Sequence, residues 1–324
     1  MKPKFSVAIP AYNRPGYLSQ AIRSALAQTT EDFEVIVSDD CSTEDLESVV
    51  ASFRDSRLKY HRSKVRLGAA RNHQTSVELS CGDYIVNLHS DDLLLPNYLE
   101  VAGAELAARE NAAAVYSSVA YLHKGTITGC QNVPRVRFAD DSVFAENPWL
   151  EKFHNVAPTS CLFRRLAFSD VGGYRVTLRF AYDWDLFMRF MLIGGGVVFS
   201  REVLSVYRRH EEQASQTSSD DGLYDVLDLW RLKEYSHWKA SDVADLVLTS
   251  LRQKEHLAGC AAVLREVNRR GVTANLLSGM PVALFERLAG KRRHDTSLEV
   301  NYESPLKMDT AVGAARALTD AREE

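Results

Sequence analysis

The chain has 324 residues, of which 45% are hydrophobic and 25% charged, with a net charge of −4. That is an ordinary globular composition, and its slight acidic excess argues against bulk nucleic-acid binding. The five cysteines, Cys41, Cys81, Cys130, Cys161 and Cys260, are scattered and form no CxxC pair. They indicate neither a disulfide framework nor a zinc site, and fit reduced thiols in a cytosolic protein. No stretch reaches the ~18–20 apolar residues of a membrane span. The apolar run in MKPKFSVAIPAYNRP is too short for a signal peptide and is interrupted by a proline.

FSVAIP reads as a buried strand almost at the terminus. Pro15 opens a helix to about Gln28, with Leu18, Ile22, Ala25 and Leu26 on one face. FEVIVSDD is a second buried strand ending in two carboxylates. CSTEDLESVVASF reads as a helix capped by Ser42 or Thr43. LKYHRS is a third strand, LGAARNHQTSVELS a helix entered through Gly68, and GDYIVNLHSDD a fourth strand. This alternation predicts a doubly wound, mostly parallel sheet flanked by helices. AAAVYSSVAYL is a fifth, central strand, and His123 to Phe138 an edge hairpin or loop. APTSCLFRR returns as a strand. RFAYDWDLFMRFMLIGGG is an apolar helix headed by Asp183 and Asp185 and stopped at Gly194 to Gly196. VVFS and LSVYRRH read as two further short strands. Beyond about residue 219 the patterns are those of a helical C-terminal region whose tail is weakly patterned. The catalytic region is thus expected over 1–218, with halves of about 1–110 and 111–218, and the appendage over 219–324.

The chemistry concentrates in NLHSDDLLLP, Asn87 to Pro96. Carboxylates sit there where a strand hands over to a loop, the ligand-binding end of an open α/β sheet. Adjacent carboxylates repel unless a cation or proton lies between them. A hard divalent cation holding phosphate oxygens suits that position; a solvated acidic turn is the plain alternative. No GxGxxG follows a strand and no GxxxxGK[ST] occurs, which argues against nicotinamide and P-loop enzymes.

Taken together and in this order, FSVAIPAYNR, EVIVSDDCSTED, GAARNHQTSVELSCGDYIVNLHSDD and AYDWDLFMRF with YRRHEEQAS resemble the family 2 glycosyltransferases of the GT-A fold, over roughly residues 4–216. The resemblance implies a cytosolic-facing, inverting transferase using a nucleotide-diphosphate sugar and Mg²⁺ or Mn²⁺. It assigns Pro10, Ala11, Tyr12, Asp39, Arg71 and Ser90 to the nucleotide. A carboxylate at Asp39 can accept a base N–H, which favours UDP, with dTDP as the alternative. Tyr12 is either a stacking ring or packing, and Arg71 either a phosphate contact or a solvated helix arginine. Asp91 is assigned to the metal, with His210 a further metal or phosphate contact or a surface histidine. His89 and Asp92 are assigned to the donor or diphosphate. Asp183 is the expected base, with Asp185 complementing the helix dipole.

Two departures from the family pattern stand out. His89 occupies a position usually held by an acid, and Tyr182 one often held by Glu. The QxxRW signature of processive synthases is absent, which favours single sugar addition, as in polysaccharide biosynthesis. The acceptor expected is a glycan or a lipid-linked one. Peripheral association with the inner membrane face, through Val282, Leu284, Phe285 and Leu288 beside Lys291, Arg292 and Arg293, stands beside packing of the C-terminal helices on the catalytic region or in a homo-oligomer. A catalytically silent nucleotide-sugar-binding protein is the alternative function. A sugar-nucleotide pyrophosphorylase is disfavoured, because no glycine-rich loop follows the first strand.

Overall fold

The computed structural model describes residues 2–131, 158–193 and 196–213, together with Asp225, Asp228, Leu229 and Leu232. The expected C-terminal helices, their membrane-facing residues and the expected stop at Gly194 lie outside these described residues.

The elements in order are β1 (Phe5–Ala11), α1 (Pro15–Leu26), β2 (Phe33–Asp39), α2 (Leu46–Ser52), β3 (Leu58–Arg62), α3 (Ala69–Leu79), β4 (Tyr84–Asn87), β5 (Leu93–Leu94), α4 (Tyr98–Ala107), β6 (Ala114–His123), β7 (Thr126–Gln131), β8 (Cys161–Arg164), α5 (Arg165–Asp170), α6 (Tyr182–Leu192) and β9 (Val197–Arg209). Among the described residues nine strands form one sheet in the order β3-β2-β1-β4-β8-β6-β9-β5, with β7 paired to β6. The β3-β2-β1-β4 half is parallel. Beyond it β8 runs antiparallel to both β4 and β6, while β6 and β9 are parallel. The sheet is therefore mixed: parallel where strands alternate with crossover helices, antiparallel where they do not.

Side chains alternate across the sheet with the period of two that a strand imposes. Val7, Ile9, Val35, Val37, Val86, Val115 and Leu162 face the helices α1, α2 and α4. Ala8, Ile85, Ala114, Tyr116 and Phe163 face α3, α5 and α6. Every residue of β1 and β2 is buried, as expected of parallel strands covered on both sides. The outer strand β3 is instead polar and largely exposed, which blunts its free edge.

Three local expectations are revised. Ser42 does not cap α2: its N–H and hydroxyl go to Asp39, and Asp45 caps the helix by accepting from the Ser48 N–H at 2.9 Å. VVFS and LSVYRRH are not two strands but the single strand β9. The polar Ser200–Glu202 interruption coincides with shifts of register against β6, and the Ser200 hydroxyl accepts the Glu202 N–H. It is a bulge, not a turn. Finally, the sequence places Pro96 where it suits the first turn of a helix, but LLLP begins with β5, which pairs with β9, and the helix opens only at Tyr98.

Candidate functional site

The register of the parallel half sets the site. Pro10 lies opposite Ser38 and Ala11 opposite Asp39, while β4 ends at Asn87, opposite Ala8. The carboxyl ends of β1, β2 and β4 are thus side by side. The Ala8 carbonyl accepts from Leu88. Pro10, two residues on, faces the same way but beyond the end of β4, so its missing N–H costs no ladder bond.

Asp39 is fully buried and its oxygens are occupied. Oδ1 accepts from the Ser42 N–H at 2.9 Å and hydroxyl at 2.5 Å; Oδ2 accepts from the Tyr60 hydroxyl at 2.7 Å and the Arg62 guanidinium at 3.3 Å. A carboxylate has about four acceptor sites, so a base N–H reaching Asp39 must displace one of these donors. The Arg62 contact is the longest. Neighbouring Asp40 accepts the Gly68 N–H at 3.0 Å. Tyr12 lies under the Arg66 guanidinium, 4.1 Å from its ring centre. Arg71 is exposed on α3, with its guanidinium 3.5 Å from Glu78.

The His89–Asp92 segment is a tight turn, closed by the Asp92 N–H donating to the His89 carbonyl at 3.0 Å. Its half-buried Ser90 forms the bend. One ligand atom each of His89, Asp91 and Asp92 lies within 4.8 Å of the others. Two elements distant in sequence brace the turn. From the end of β9, the Arg208 N–H donates to Asp92 Oδ1 and its guanidinium to the Asp91 carbonyl, both at 2.8 Å. His210 Nε2 lies 3.0 Å from Asp91 Oδ2. From the start of α1, Arg14 reaches Asp91 at 3.4 Å. Tyr17 packs against the His210 ring at 4.8 Å and under Arg208 at 4.9 Å. The structure thus brings Asp91, Asp92, His89 and His210 together. It adds Arg14 and Arg208, which stood inside the AYNR and YRRH motifs without a role, and Tyr17 from the first turn of α1.

The electrostatics of the turn are uneven. Burial works to raise the Asp91 carboxyl, but the His210 hydrogen bond and the charges of His89, His210 and Arg14 outweigh it and hold the group low. Asp92 is pushed well up by burial and by the Asp91 charge. Its Oδ2, His89 Nε2 and His210 Nδ1 are buried without a hydrogen-bond partner. Unpaired buried acceptors beside a repelling carboxylate are what a cation would satisfy. An oxygen-and-imidazole donor set fits a divalent ion such as Mn²⁺.

Behind the turn, His73 on α3 packs on the His89 ring at 5.0 Å and on Tyr182 at 4.9 Å. Burial drives His73 down to about 3, so it is a neutral wall of the site. Tyr182 begins α6, and the two acids after it differ sharply. Asp185 is fully buried and clamped by Arg189 at 2.6 Å and Arg175 at 3.2 Å. That is an ion-paired role, beyond the dipole complement expected of it. Asp183 accepts the Trp184 N–H at 2.6 Å, and among the described residues no arginine or lysine pairs with it. Burial raises its carboxyl and Asp225 adds to the rise, while His89 and the helix N–H groups oppose it. A carboxylate raised in this way is a better proton acceptor near neutral pH.

Residues 6–172 match the family model described as Glycosyl transferase family 2. Among curated relatives, an uncharacterized protein of Mycobacterium tuberculosis is 30% identical over 71% of this chain and 75% of its own length. An uncharacterized glycosyltransferase of Rickettsia typhi is 28% identical over 67% of each chain. An Escherichia coli UDP-Glc:alpha-D-GlcNAc-diphosphoundecaprenol beta-1,3-glucosyltransferase is 31% identical over 38% of this chain and 49% of its own. Among solved structures, S. aureus TarS 1-349 in complex with UDP-GlcNAc superposes with a TM-score of 0.64 at 17% identity, covering 98% of this chain and 90% of that one. The chain spans 55% of the longer TarS structure. The Pyrobaculum calidifontis mannosyltransferase PcManGT, in complex with GDP-Man and Mn2+, gives 0.57 at 17% identity, over 100% of this chain and 89% of that one. With the sheet, the carboxylate-bearing strand ends and the family match in agreement, this chain belongs to glycosyl transferase family 2 and is a glycosyltransferase of the GT-A type.

Proposed function

We propose that the protein is an inverting, metal-dependent transferase that moves one sugar from a nucleotide-diphosphate sugar to a hydroxyl of a glycan or lipid-linked acceptor. The observation that carries this reading is the contrast within α6: Asp185 is neutralised by two arginines, whereas Asp183 is half-buried, raised and free of a basic side chain among the described residues. Asp183 is the base. Its carboxylate takes the proton from the acceptor hydroxyl as that oxygen attacks the anomeric carbon. The bond from that carbon to the β-phosphate oxygen breaks, and the nucleoside diphosphate leaves with the electron pair. A single displacement of this kind inverts the configuration.

The nucleotide is assigned to the ends of β1 and β2, with Pro10, Ala11 and Tyr12 bordering the base, Asp39 facing it, and Ser90 and Arg71 as further contacts. UDP is favoured over dTDP as its nucleotide; the complex of one structural neighbour with UDP-GlcNAc supports a donor of that class. Asp91, with His210, is assigned to a divalent ion, Mn²⁺ or Mg²⁺, and His89 and Asp92 to the donor diphosphate. When bound, that ion would neutralise charge gathering on the leaving diphosphate. No helix among the described residues is long and apolar enough to cross a membrane, so any membrane-bound acceptor is proposed to be met from the surface.

The test is a panel of UDP-, dTDP- and GDP-sugars, scored by thermal shift and by nucleotide release with Mn²⁺. Stabilisation by a UDP- or dTDP-sugar, with release of its diphosphate, is expected. Binding without release, at any acceptor tried, would overturn the reading in favour of a silent nucleotide-sugar-binding protein.

A further inference from the structure

The loop that leads into α6 has backbone donors to place. Ala181, at the helix N-cap position, offers no side-chain cap. The N–H groups of Arg179, Phe180 and Ala181 all converge on one carboxylate, that of Asp225. The distances to Oδ2 are 3.0 Å from Arg179, 2.7 Å from Phe180 and 2.8 Å from Ala181, and Arg179 also reaches Oδ1 at 3.2 Å. Asp225 is 2% exposed. Charge-assisted bonds from backbone N–H groups to a buried carboxylate are among the strong ones, and a negative charge just ahead of a helix N-terminus is favourable. Leu229, four residues beyond, is fully buried in the same core as Leu186, Phe187 and Phe190 of α6, with Leu232 packed against it. The segment carrying Asp225 is therefore docked on α6 by apolar packing as well as by the carboxylate.

We propose that Asp225 is a positioning residue for Asp183. It ties the entry of α6 in place, so that the carboxylate two residues past the tied loop meets the acceptor at the right distance. This rests on the reading of Asp183 as the base. A residue beyond the sheet, and outside the stretch matched by the family model, thus makes the catalytic geometry depend on the docking of a later segment. The groups that face Asp183 are His89 from the turn after β4, Tyr182 on its own helix, Tyr174 from the loop before it, Tyr116 from β6, and Asp225 itself. Of these, only Asp225 holds the backbone on which Asp183 sits.

The test compares full-length wild type, Asp225→Ala, Asp225→Asn and Asp183→Asn. UDP release from UDP-GlcNAc in Mn²⁺ gives kcat and KM, calorimetry gives UDP affinity, and hydrogen exchange follows the amides of Arg179, Phe180 and Ala181. In Asp225→Ala these amides should lose protection and kcat should fall about 10–100-fold, the scale of a small misplacement of a reacting group. KM, UDP affinity and the calorimetric binding stoichiometry should stay within about two-fold, whereas a merely destabilised fold would lower the stoichiometry in step with kcat. Asp225→Asn keeps an acceptor oxygen and should lose less; it serves if the alanine variant does not fold. Lost amide protection with kcat unchanged would overturn the proposal, as would unchanged protection. If Asp183→Asn retains turnover, the base assignment itself fails, a result separate from either.

Discussion

Asp183 and Asp185 share the first turn of one helix and end in opposite electrostatic situations. Asp183→Asn removes a proton acceptor and little volume. It should lower turnover by about 10²–10⁴-fold, the usual worth of a positioned base, while UDP affinity by calorimetry stays within about two-fold. Asp185→Asn should act on stability instead, because Arg189, with 8% of its side chain exposed, would be left as a buried unpaired charge. The cost is expected at about 3–5 kcal/mol in urea unfolding. Because burial raises the Asp183 carboxyl above its ordinary 3.8, and only the deprotonated form accepts a proton, kcat should fall as pH drops through that raised value. The acid limb is therefore expected above pH 3.8, and a limb at or below the ordinary value would contradict the assignment. Both acids were visible in AYDWD as a pair. What separated them was not: Asp185 is matched by arginines whose pairing depends on the loop before α6 and on the turn of the helix. Asp225 gave no sign in the sequence, since a cap supplied 44 residues away from Ala181 has no local pattern.

At the scale of elements, β2 carries a buried acid that is structural. Glu34 accepts from Ser6 at 2.7 Å, Lys59 at 2.8 Å and the Cys81 N–H at 2.6 Å. Burial alone would raise its carboxyl, but these donors outweigh burial and bring it from 4.5 to about 2. A group depressed on folding contributes stability that is present above its unfolded value. That contribution should be lost as pH falls from about 4.5 to about 2. Glu34→Gln should cost about 1.5–3 kcal/mol near neutral pH, and its deficit relative to wild type should shrink across that acid window in urea titrations. Gly82 is a second constraint. A Cβ there would lie 2.6 Å from the Phe5 backbone carbon and 2.7 Å from the Ser6 nitrogen, where β1 and the entry to β4 cross. Gly82→Ala should cost about 1–3 kcal/mol, read by thermal unfolding. The long strands and amphipathic helices were legible because their periodicity is local. The two-residue β5, the bulge within β9 and the cap of α2 were not. Each is decided by partners far along the chain, as when Ser42 gives up capping to bond Asp39.

At the scale of the whole molecule, the alternation of strands and helices foretold the parallel β3-β2-β1-β4 half, where the first two crossovers reach a neighbouring strand and the third carries the chain back past β2 and β1 to β4. It did not foretell that β8 would insert antiparallel between β4 and β6, since single strands carry no mark of direction. The candidate site was legible at the strand ends, where acids follow apolar runs. The bracing of Asp91 and Asp92 from residues 119 and 116 positions later exists only in the fold. The central claim is that this braced turn holds the donor diphosphate through a divalent ion. Calorimetric titration of UDP-GlcNAc in EDTA, Mg²⁺ and Mn²⁺ tests it most directly, with Asp91→Asn alongside. The account predicts binding at least about tenfold tighter with metal than in EDTA, a difference of about 1.4 kcal/mol. Mn²⁺ should be favoured over Mg²⁺ because an imidazole stands among the ligands, and the metal effect should vanish in the variant. Equal affinity in EDTA, Mg²⁺ and Mn²⁺ would contradict it.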